Sequence, residues 1–266
     1  MKLYFVKLGG SIITDTEKAN TPKLKEIERL AREIKEGSEG AKIIIGHGSG
    51  SFGHVAVHKY GIEKGLHGKG SILGAAKAHA IAHELNRLII KALNKNGIGA
   101  LPFPPSAGSI SINGKISGWN TQPIKTALEL GFTPVVMGDV IVDSINGVHI
   151  ASTEEGFEYL AAIFRPDKVI SAGDTDGVFD ADPKIYKNAK LIRKINKKNI
   201  REALNGAGAS LKIDVTGGMH SKLQFLYNIS KRYGSTCQIV NAAVPGRLRD
   251  ALMGKPVVST IIKAKG

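Results

Sequence analysis

The chain has 266 residues, 42% of them apolar, and a formal net charge of +14 at pH 7. This length suits one large α/β domain or two lobes that share a sheet, and no apolar run approaches the roughly 20 residues that a membrane-spanning helix needs. Cys237 is the only cysteine, which excludes an intrachain disulfide and fits a reducing, cytoplasmic setting.

The positive charge is compatible with nucleic-acid binding, with attraction of small anionic substrates, or with a lysine-rich surface that has no specific partner. The basic residues are spread along the chain, and the densest patch, residues 190–201, contains no aromatic side chain. Only 6% of all residues are aromatic, which disfavours a stacking surface for single-stranded nucleic acid. We therefore expect no nucleic-acid partner and no membrane association.

In chain order, the first part of the sequence predicts two strands that each run into glycines. Residues 3–7 predict a strand that leads into the turn 9–11, and helical spacing over 22–36 predicts an amphipathic helix. Residues 41–45 predict a second strand, followed by the loop 46–54, Gly-His-Gly-Ser-Gly-Ser-Phe-Gly-His. Glycines let backbone N–H groups converge, so a strand, a glycine loop and a helix start together typically form an anion site.

The middle of the sequence predicts a long helix and two hairpins. Apolar residues at helical spacing place the long helix over 71–96. Alternating stretches with Asn-Gly turns predict hairpins at 109–117 and 140–150. A helix at 121–130 and an apolar strand at 133–137 lie between them.

Two histidines on the long helix have a spacing that metal ligands use. His79 and His83 lie one helical turn apart. No carboxylate or cysteine clearly completes a set with them, so we expect no metal ligands from the protein. Asp139 follows the strand 133–137 and one glycine, and we expect it to be a structural hydrogen-bonding group.

The last part of the sequence continues the alternation of strands and helices, which predicts an α/β fold: a three-layer αβα sandwich around a largely parallel sheet. We treat residues 1–266 as a single domain with an N-terminal lobe at about 1–166 and a C-terminal lobe at about 167–266. The predicted elements are a helix at 153–164, a strand at 168–171, a glycine turn at 173–177, a helix at 199–205, a glycine segment at 214–219, a helix at 220–233 and strands at 237–240 and 257–262.

Four glycine-bearing turns, at 7–11, 46–54, 173–177 and 216–219, could lie at the carboxyl ends of strands, where α/β sheets bind ligands. Together with Lys7, His54 and Lys222 they predict a cradle for several phosphates. The chain has no Walker A loop. The Gly-x-Gly-x-x-Gly spacing of residues 48–53 lacks the acidic residue that a dinucleotide site needs at the end of a second strand.

The motifs around these turns resemble the amino acid kinase family. They are Lys-Leu-Gly-Gly-Ser at 7–11, the turn 173–177 followed by Asp-Pro-Lys at 182–184, and Asp-Val-Thr-Gly-Gly-Met at 214–219 with Lys222. The resemblance covers nearly the whole chain in the same order. Gly53-His54 is similar to the isopentenyl phosphate kinase branch and to the related fosfomycin kinases.

The resemblance implies an ATP-dependent phosphotransferase that converts isopentenyl phosphate to the diphosphate, with Mg²⁺ carried mainly on the nucleotide, in a cytoplasmic homodimer. Alternatives are a kinase of the same fold for another small phosphate or phosphonate, as in the fosfomycin kinases, and a non-catalytic nucleotide-binding regulator. The acceptor's apolar tail is expected against the helix 71–96 and the hairpin 109–117.

The resemblance also implies a role for each matching residue. Lys7 bridges the donor and transferring phosphates, Ser49 and Gly50 contact the acceptor and transferring phosphates, and His54 donates to the acceptor phosphate. Lys222 holds the β- and γ-phosphates. The remaining implied ATP-binding residues are Gly9, Gly10, Ser11, Asp174, Phe179, Lys184 and Gly218.

The sequence departs from the family pattern at several positions. Thr16 replaces a lysine of the first loop, and Lys18 could take over its catalytic role. The middle glycine of the second loop is Ser49, and Gly173-Asp174 stands for the usual Thr-Asp pair. The usual Ser-Gly-Asp-Asp is Ser-Thr-Glu-Glu at 152–155, which places Thr153 at a substrate-facing position.

Overall fold

The computed structural model describes residues 1–183, 185–208 and 218–265, apart from the side chain of His54. The strands are β1 (Lys2–Leu8), β2 (Ala41–His47), β3 (Ala100–Pro102), β4 (Ser109–Ser111), β5 (Ile116–Trp119), β6 (Thr133–Met137), β7 (Asp139–Asp143), β8 (Gly147–Ala151), β9 (Lys168–Gly173), β10 (Lys194–Ile195), β11 (Thr236–Asn241) and β12 (Ser259–Ile262). The helices are α1 (Gly10–Ile13), α2 (Leu24–Gly37), α3 (His54–Tyr60), α4 (Gly68–Lys95), α5 (Gln122–Glu129), α6 (Thr153–Phe164), α7 (Ile200–Gly208), α8 (Gly218–Tyr233) and α9 (Arg247–Leu252). Within the described ranges, none of these helices has the length and apolarity to cross a bilayer.

The main sheet has the strand order β10-β12-β11-β9-β1-β2-β6-β3. The neighbouring strands from β11 through β9, β1, β2 and β6 to β3 are parallel, whereas β12 runs antiparallel to β11. The carboxyl ends of β1, β2, β6 and β9 therefore meet at one edge of the sheet. The predicted largely parallel sheet is confirmed.

Each face of this sheet is covered by helices, because successive side chains of a strand point to opposite faces. Val6 packs into a core with α2, α4 and α9, while the adjacent Phe5 packs into a second core with α5, α6 and α8. The rings of Phe5 and Phe157 of α6 lie 4.9 Å apart between their centroids. The three-layer αβα architecture is confirmed. Cys237 is fully buried in the second core, and burial raises the pKa of its thiol, which suits inert packing.

Both predicted hairpins are confirmed, and they join into a second sheet with the order β5-β4-β7-β8. Strand β7 begins at Asp139, one residue beyond the end of β6, so this sheet extends from the carboxyl edge of the main sheet. Residues of α3 and α4 pack against its inner face, with Ala75 and Ala78 contacting the region of Val140 and Val148.

Three features differ from the sequence-based expectation. The turn after β1 opens directly into the one-turn helix α1, and α4 begins at Gly68, three residues earlier than predicted. Helix α9 was not predicted at all. Its first N–H groups are capped from a distant helix, because the Glu33 carboxylate of α2 accepts from Gly246, Leu248 and Arg249. A helix that depends on such a cap carries little signal in its own sequence.

Candidate functional site

The loops that follow β1, β2 and β9 lie side by side, because these strands are neighbours in the sheet. Gly9 follows β1, Gly48 follows β2 and Asp174 follows β9. The predicted gathering of glycine turns at one edge is confirmed for these three. In the fourth turn Gly218 begins α8 with a φ of 56°, a left-handed conformation that favours glycine, while residues 216 and 217 lie outside the described residues.

The loops after β1 and β2 touch through their main chains. A Cβ placed on Gly10 would lie 2.5 Å from Gly50 Cα and 2.7 Å from Gly50 N, so only glycine fits there. Gly50 itself has a φ of 50°. Between the loops, the buried Thr14 hydroxyl donates to Gly10 O at 2.8 Å and accepts from Ser51 N at 3.1 Å. The two loops therefore form one continuous surface of main-chain atoms.

The first of these loops offers fewer N–H donors than the sequence suggested. The Gly9 N–H donates to Ala172 O at 2.8 Å, so it ties the loop to β9 instead of facing a ligand. Gly10 and Ser11 start α1, and the first N–H groups of a helix have no partner within it. On this loop the N–H groups of Gly10 and Ser11, and not that of Gly9, are therefore the candidates for contact with an anion.

A part-buried ion pair lies where the carboxyl ends of the strands meet. Lys7, near the end of β1, is 9% exposed, and its ammonium donates to the carboxylate of Glu154 in the first turn of α6. Lys222 of α8 lies beside the neighbouring strand end, since a Cβ placed on Gly173 would be 3.7 Å from Lys222 Nζ. Burial opposes ionisation of Glu154, but the charges of Lys7 and Lys222 outweigh it and hold the pKa of this carboxyl below its ordinary value.

Sequence reasoning assigned no role to Glu154. It treated the segment 152–155 only as a departure from a motif. The sequence signal that could have indicated a role for Glu154 is its place just after a helix-capping serine. Ser152 does cap α6, since its hydroxyl accepts from Glu155 N at 3.1 Å. An acidic residue in the first turn is favoured by the helix dipole. Here that turn faces the carboxyl edge, so the carboxylate meets Lys7.

For the ATP-dependent activity that the sequence resemblance implies, replacing Glu154 by glutamine should lower kcat about tenfold to a hundredfold and change the KM for ATP little. The amide keeps the shape but no longer fixes the Lys7 ammonium by charge, so the ammonium is less well positioned for transfer. Steady-state kinetics measure this effect. Glu158→Gln is the matched control, because Glu158 lies on the same helix in an exposed pair with Arg232. Equal kcat values for the two variants would contradict a positioning role for Glu154.

Side chains of the second loop and of α6 form a hydrogen-bonded support around the end of β2. Thr153 is 2% exposed, and its hydroxyl donates to His47 O at 2.6 Å, so this side chain holds the main chain at the end of β2 in place. The Ser49 hydroxyl lies 3.4 Å from Gly138 O. His54 begins α3, but its side chain, and with it the predicted imidazole contact, lies outside the described part of the chain.

Two lysines lie on or beside the segment between α1 and α2. Lys18 is exposed in the loop 15–20, which approaches the second glycine loop where Asn20 N donates to Ser51 O at 3.4 Å. Lys23, which sequence reasoning did not select, donates from Nζ to Ser11 O at 2.8 Å. Lys23 thus places a cation beside the first glycine loop. Nothing in the sequence just before α2 indicates that contact.

The residues predicted to line a nucleotide site follow β9. Asp174 is exposed directly beyond the strand, and Phe179 is half-buried where it bridges to Leu191. Gly177 has a φ of 146° and is packed against Thr260. Lys184 lies outside the described residues. The described part of this segment thus borders the same edge as Lys222.

An apolar cavity of about 290 Å³ is walled partly by Val140, two residues along the chain from Gly138. It lies between α4 and the β7–β8 hairpin, and β7 starts one residue after Gly138, which contacts Ser49. The expectation that the acceptor's apolar tail lies against the helix 71–96 and the hairpin 109–117 stays a prediction. The lining residues are Leu66, Ile72, Ala75, Ala76, His79, Ser106, Val140, Ile141, Val142 and Val148.

Asp139 is a structural hydrogen-bonding group, as expected. Its carboxylate accepts from Val140 N at 2.8 Å and from Ser106 N at 3.1 Å. The expectation that no carboxylate completes a set with His79 and His83 is wrong, because β7 brings Asp139 against both histidines. Sequence spacing could not show this, since the contact depends on how α4 crosses β7.

As a whole, the edge combines cations, main-chain N–H donors and an apolar cavity. Lysines and helix N-termini stabilise phosphate oxygens, and phosphoryl transfer relies on positioning and charge neutralisation more than on covalent help. The adjacent cavity suits a short apolar group. This arrangement can hold two phosphate-bearing ligands, one of them with an apolar tail.

Comparison with known proteins agrees with this description. A family model described as the amino acid kinase family matches residues 2–241. An isopentenyl phosphate kinase from Methanothermobacter thermautotrophicus is 34% identical over 99% of this chain and 100% of that protein, and one from Methanocaldococcus jannaschii is 33% identical over 84% and 86%. A solved isopentenyl phosphate kinase structure superposes with a TM-score of 0.84 at 30% identity, covering 98% of this chain and 100% of that one.

Proposed function

The chain belongs to the amino acid kinase family, and we propose that it transfers the γ-phosphoryl group of ATP to isopentenyl phosphate, giving isopentenyl diphosphate and ADP. The similar proteins named isopentenyl phosphate kinases, which align over the full chain, support this acceptor. So does the site itself, which joins an anion cradle to an apolar cavity.

The observation that carries the proposal is that the wall of the apolar cavity begins at Val140, two residues from Gly138, whose carbonyl oxygen lies 3.4 Å from the Ser49 hydroxyl of the second glycine loop. Kinases that phosphorylate an amino acid need polar partners for its ammonium and side chain. Here the cavity is walled by residues such as Ile72 and Val142. A five-carbon hydrocarbon tail gains free energy by leaving water for such a wall, at about 0.8 kcal/mol per buried methylene.

In the proposed reaction a phosphate oxygen of the acceptor attacks the γ-phosphorus of ATP in line. The bond between that phosphorus and the β–γ bridging oxygen breaks, and ADP leaves with the bridging oxygen. Lys7 and Lys222 offset the charge on the transferring group, and the N–H groups of Gly10 and Gly50 hold the phosphates on either side. His54 donates to the acceptor phosphate and orients its attacking oxygen.

ATP occupies the side of the edge formed by β9 and α8, next to Asp174, Phe179 and Lys222. Mg²⁺ would enter with the nucleotide and reduce the charge of its phosphates. The donor set fits this arrangement, because the Glu154 carboxylate is engaged by Lys7 and so is not assigned as a metal ligand. The C-terminal lobe, about 167–266, thus takes the nucleotide and the N-terminal lobe the acceptor. We extend the proposal to a homodimer in the cytoplasm.

An acceptor panel tests the assignment, with ADP release measured for isopentenyl, dimethylallyl, geranyl and short alkyl phosphates and for fosfomycin. We expect the five-carbon phosphates to give the highest kcat/KM. Loss of two carbons should lower kcat/KM roughly tenfold, from the burial free energy of about 0.8 kcal/mol per methylene. Fosfomycin, a small phosphonate without the tail, should react poorly.

Other outcomes of the panel contradict the proposal in different ways. A preference for fosfomycin or for ethyl phosphate would favour a kinase of the same fold with another acceptor. ATP binding without turnover on any acceptor would favour the nucleotide-binding regulator. Isothermal titration with a non-hydrolysable ATP analogue separates that case from a protein that is misfolded.

A further inference from the structure

The two histidines of α4 and the first residue of β7 form a compact group, which we call the His–His–Asp cluster: His79, His83 and Asp139. The proposed phosphoryl transfer uses none of them. The Asp139 carboxylate is fully buried, and the two imidazoles are 37% and 30% exposed. The cluster therefore has a buried floor and a side that is open to solvent.

Two imidazole nitrogens converge on one carboxylate oxygen. His79 Nδ1 lies 2.9 Å and His83 Nε2 lies 3.4 Å from Asp139 Oδ1. The ring centroids of the histidines are 4.0 Å apart, and the potential ligand atoms of the three residues all lie within 4.8 Å of one another. Ligand bonds of about 2.0–2.1 Å in a tetrahedral site place neighbouring ligand atoms about 3.3 Å apart, which the observed distances approach.

His83 supplies a second, independent observation. Its Nε2 is buried and forms no hydrogen bond within the described part of the chain, although it lies 3.4 Å from Asp139 Oδ1. A buried polar atom without a partner costs free energy unless another group meets it. A cation between the three residues would meet this nitrogen, and it would replace the proton that His79 Nδ1 shares with Asp139 at 2.9 Å.

Hydrogen bonds from the main chain hold the Asp139 carboxylate in one orientation. Val140 N and Ser106 N donate to its two oxygens and fix its orientation, as outer partners of metal ligands usually do. The side chain of Asp139 is fully buried, so its carboxylate forms the floor of the cluster.

We propose that His79, His83 and Asp139 bind a divalent transition-metal ion, with Zn²⁺ preferred, that ties α4 to β7. Two imidazoles and one carboxylate form a set that zinc and iron sites use, whereas Mg²⁺ prefers oxygen ligands alone. The fourth position faces solvent and takes water. This ion is separate from the Mg²⁺ that would accompany ATP.

The place of the cluster gives the ion a structural role. His79 also lines the apolar cavity, between residues of α4 and β7. An ion that joins these two elements would hold the walls of the cavity at a fixed separation. Its binding should therefore stabilise the fold, whatever acceptor the cavity takes.

The test uses the tag-free, full-length protein after treatment with a chelator. Co²⁺ serves as a spectroscopic probe, and its d–d absorption should report one tetrahedral site with imidazole and carboxylate ligands. Zn²⁺ should compete for that site and raise the melting temperature, because an ion that binds only the folded state stabilises it. His79→Ala and His83→Ala should each weaken Co²⁺ binding at least tenfold and remove the Zn²⁺-dependent rise in melting temperature.

His58→Ala is the matched control, since His58 lies exposed on α3 in a pair with Glu63 and should leave Co²⁺ binding unchanged. Circular dichroism of the metal-free variants shows that each is folded. Unchanged Co²⁺ affinity in folded His79→Ala and His83→Ala would overturn the proposal, as would the absence of any tetrahedral Co²⁺ spectrum in the unsubstituted protein. The cluster would then be a hydrogen-bonded group that joins α4 to β7 without an ion. Neither result depends on the identity of the acceptor.

Discussion

Replacing Lys7 by methionine should lower kcat about a thousandfold, because in the proposed reaction it removes a cation from the place where charge develops during transfer. Removal of a single preorganised charge or donor from a transition state commonly costs two to three orders of magnitude. Methionine keeps much of the length and apolar stem of lysine, so the packing at the end of β1 is largely retained. Single-turnover kinetics with saturating ATP separate this loss from weaker nucleotide binding.

The control for Lys7→Met lies on the same strand. Lys2 is exposed at the opposite end of β1, so Lys2→Met changes the net charge equally but leaves the edge intact. Lys7→Met also leaves Glu154 without its principal partner. The double variant Lys7→Met/Glu154→Gln removes that unpaired charge. We expect the double variant to recover stability but not turnover. Activity of Lys7→Met within tenfold of the unsubstituted protein would remove Lys7 from the proposed mechanism.

Substitution of Gly10 by alanine should be almost as damaging, although it adds a single methyl group. The new Cβ would lie 2.5 Å from Gly50 Cα, and ordinary contacts begin at about 3.4 Å. Both clashing atoms belong to the Gly50 main chain, so no side-chain rotation relieves the overlap, and the two loops must separate by close to 1 Å. A displacement of that size at reacting groups costs about a hundredfold in rate. We expect that loss in kcat/KM, together with a lower melting temperature.

Gly70→Ala provides the comparison for Gly10→Ala. Gly70 lies in α4, and a Cβ there meets nothing within 4 Å. Alanine stabilises a helix by roughly 0.5–1 kcal/mol relative to glycine, so this variant should be fully active and slightly more stable. Equal kcat/KM values for the two variants would show that the contact between the loops does not set the geometry of transfer.

The parts of the site that sequence could predict are those encoded in short segments. The strand ends, the glycine loops and Lys7 each carry a local pattern of apolar spacing followed by glycine. The fold class follows from the alternation of those patterns with helical periodicity. The prediction that the glycine loops lie together at the carboxyl ends of the strands is therefore confirmed for the loops after β1, β2 and β9.

The parts that sequence could not predict depend on contacts between distant segments. Glu154 meets Lys7 across 147 positions, and Asp139 meets His79 across 60. Helix α9 is capped by Glu33 from more than 200 positions away. In each case the side chain is polar and ordinary in its own segment, and only the arrangement of the helices over the sheet gives it a partner.

The main-chain contact between Gly10 and Gly50 has a consequence for how acceptor preference can change. In the proposed reaction the separation of donor and acceptor phosphates is set by two glycine backbones, whereas the cavity proposed for the tail is lined by side chains of α4, β7 and β8. Substitutions in the cavity can therefore enlarge, shorten or polarise it without altering the distance over which the phosphoryl group moves. A fold in which the main chain sets the phosphate positions and side chains line the cavity can acquire new acceptors by mutation while the geometry of the proposed transfer stays unchanged.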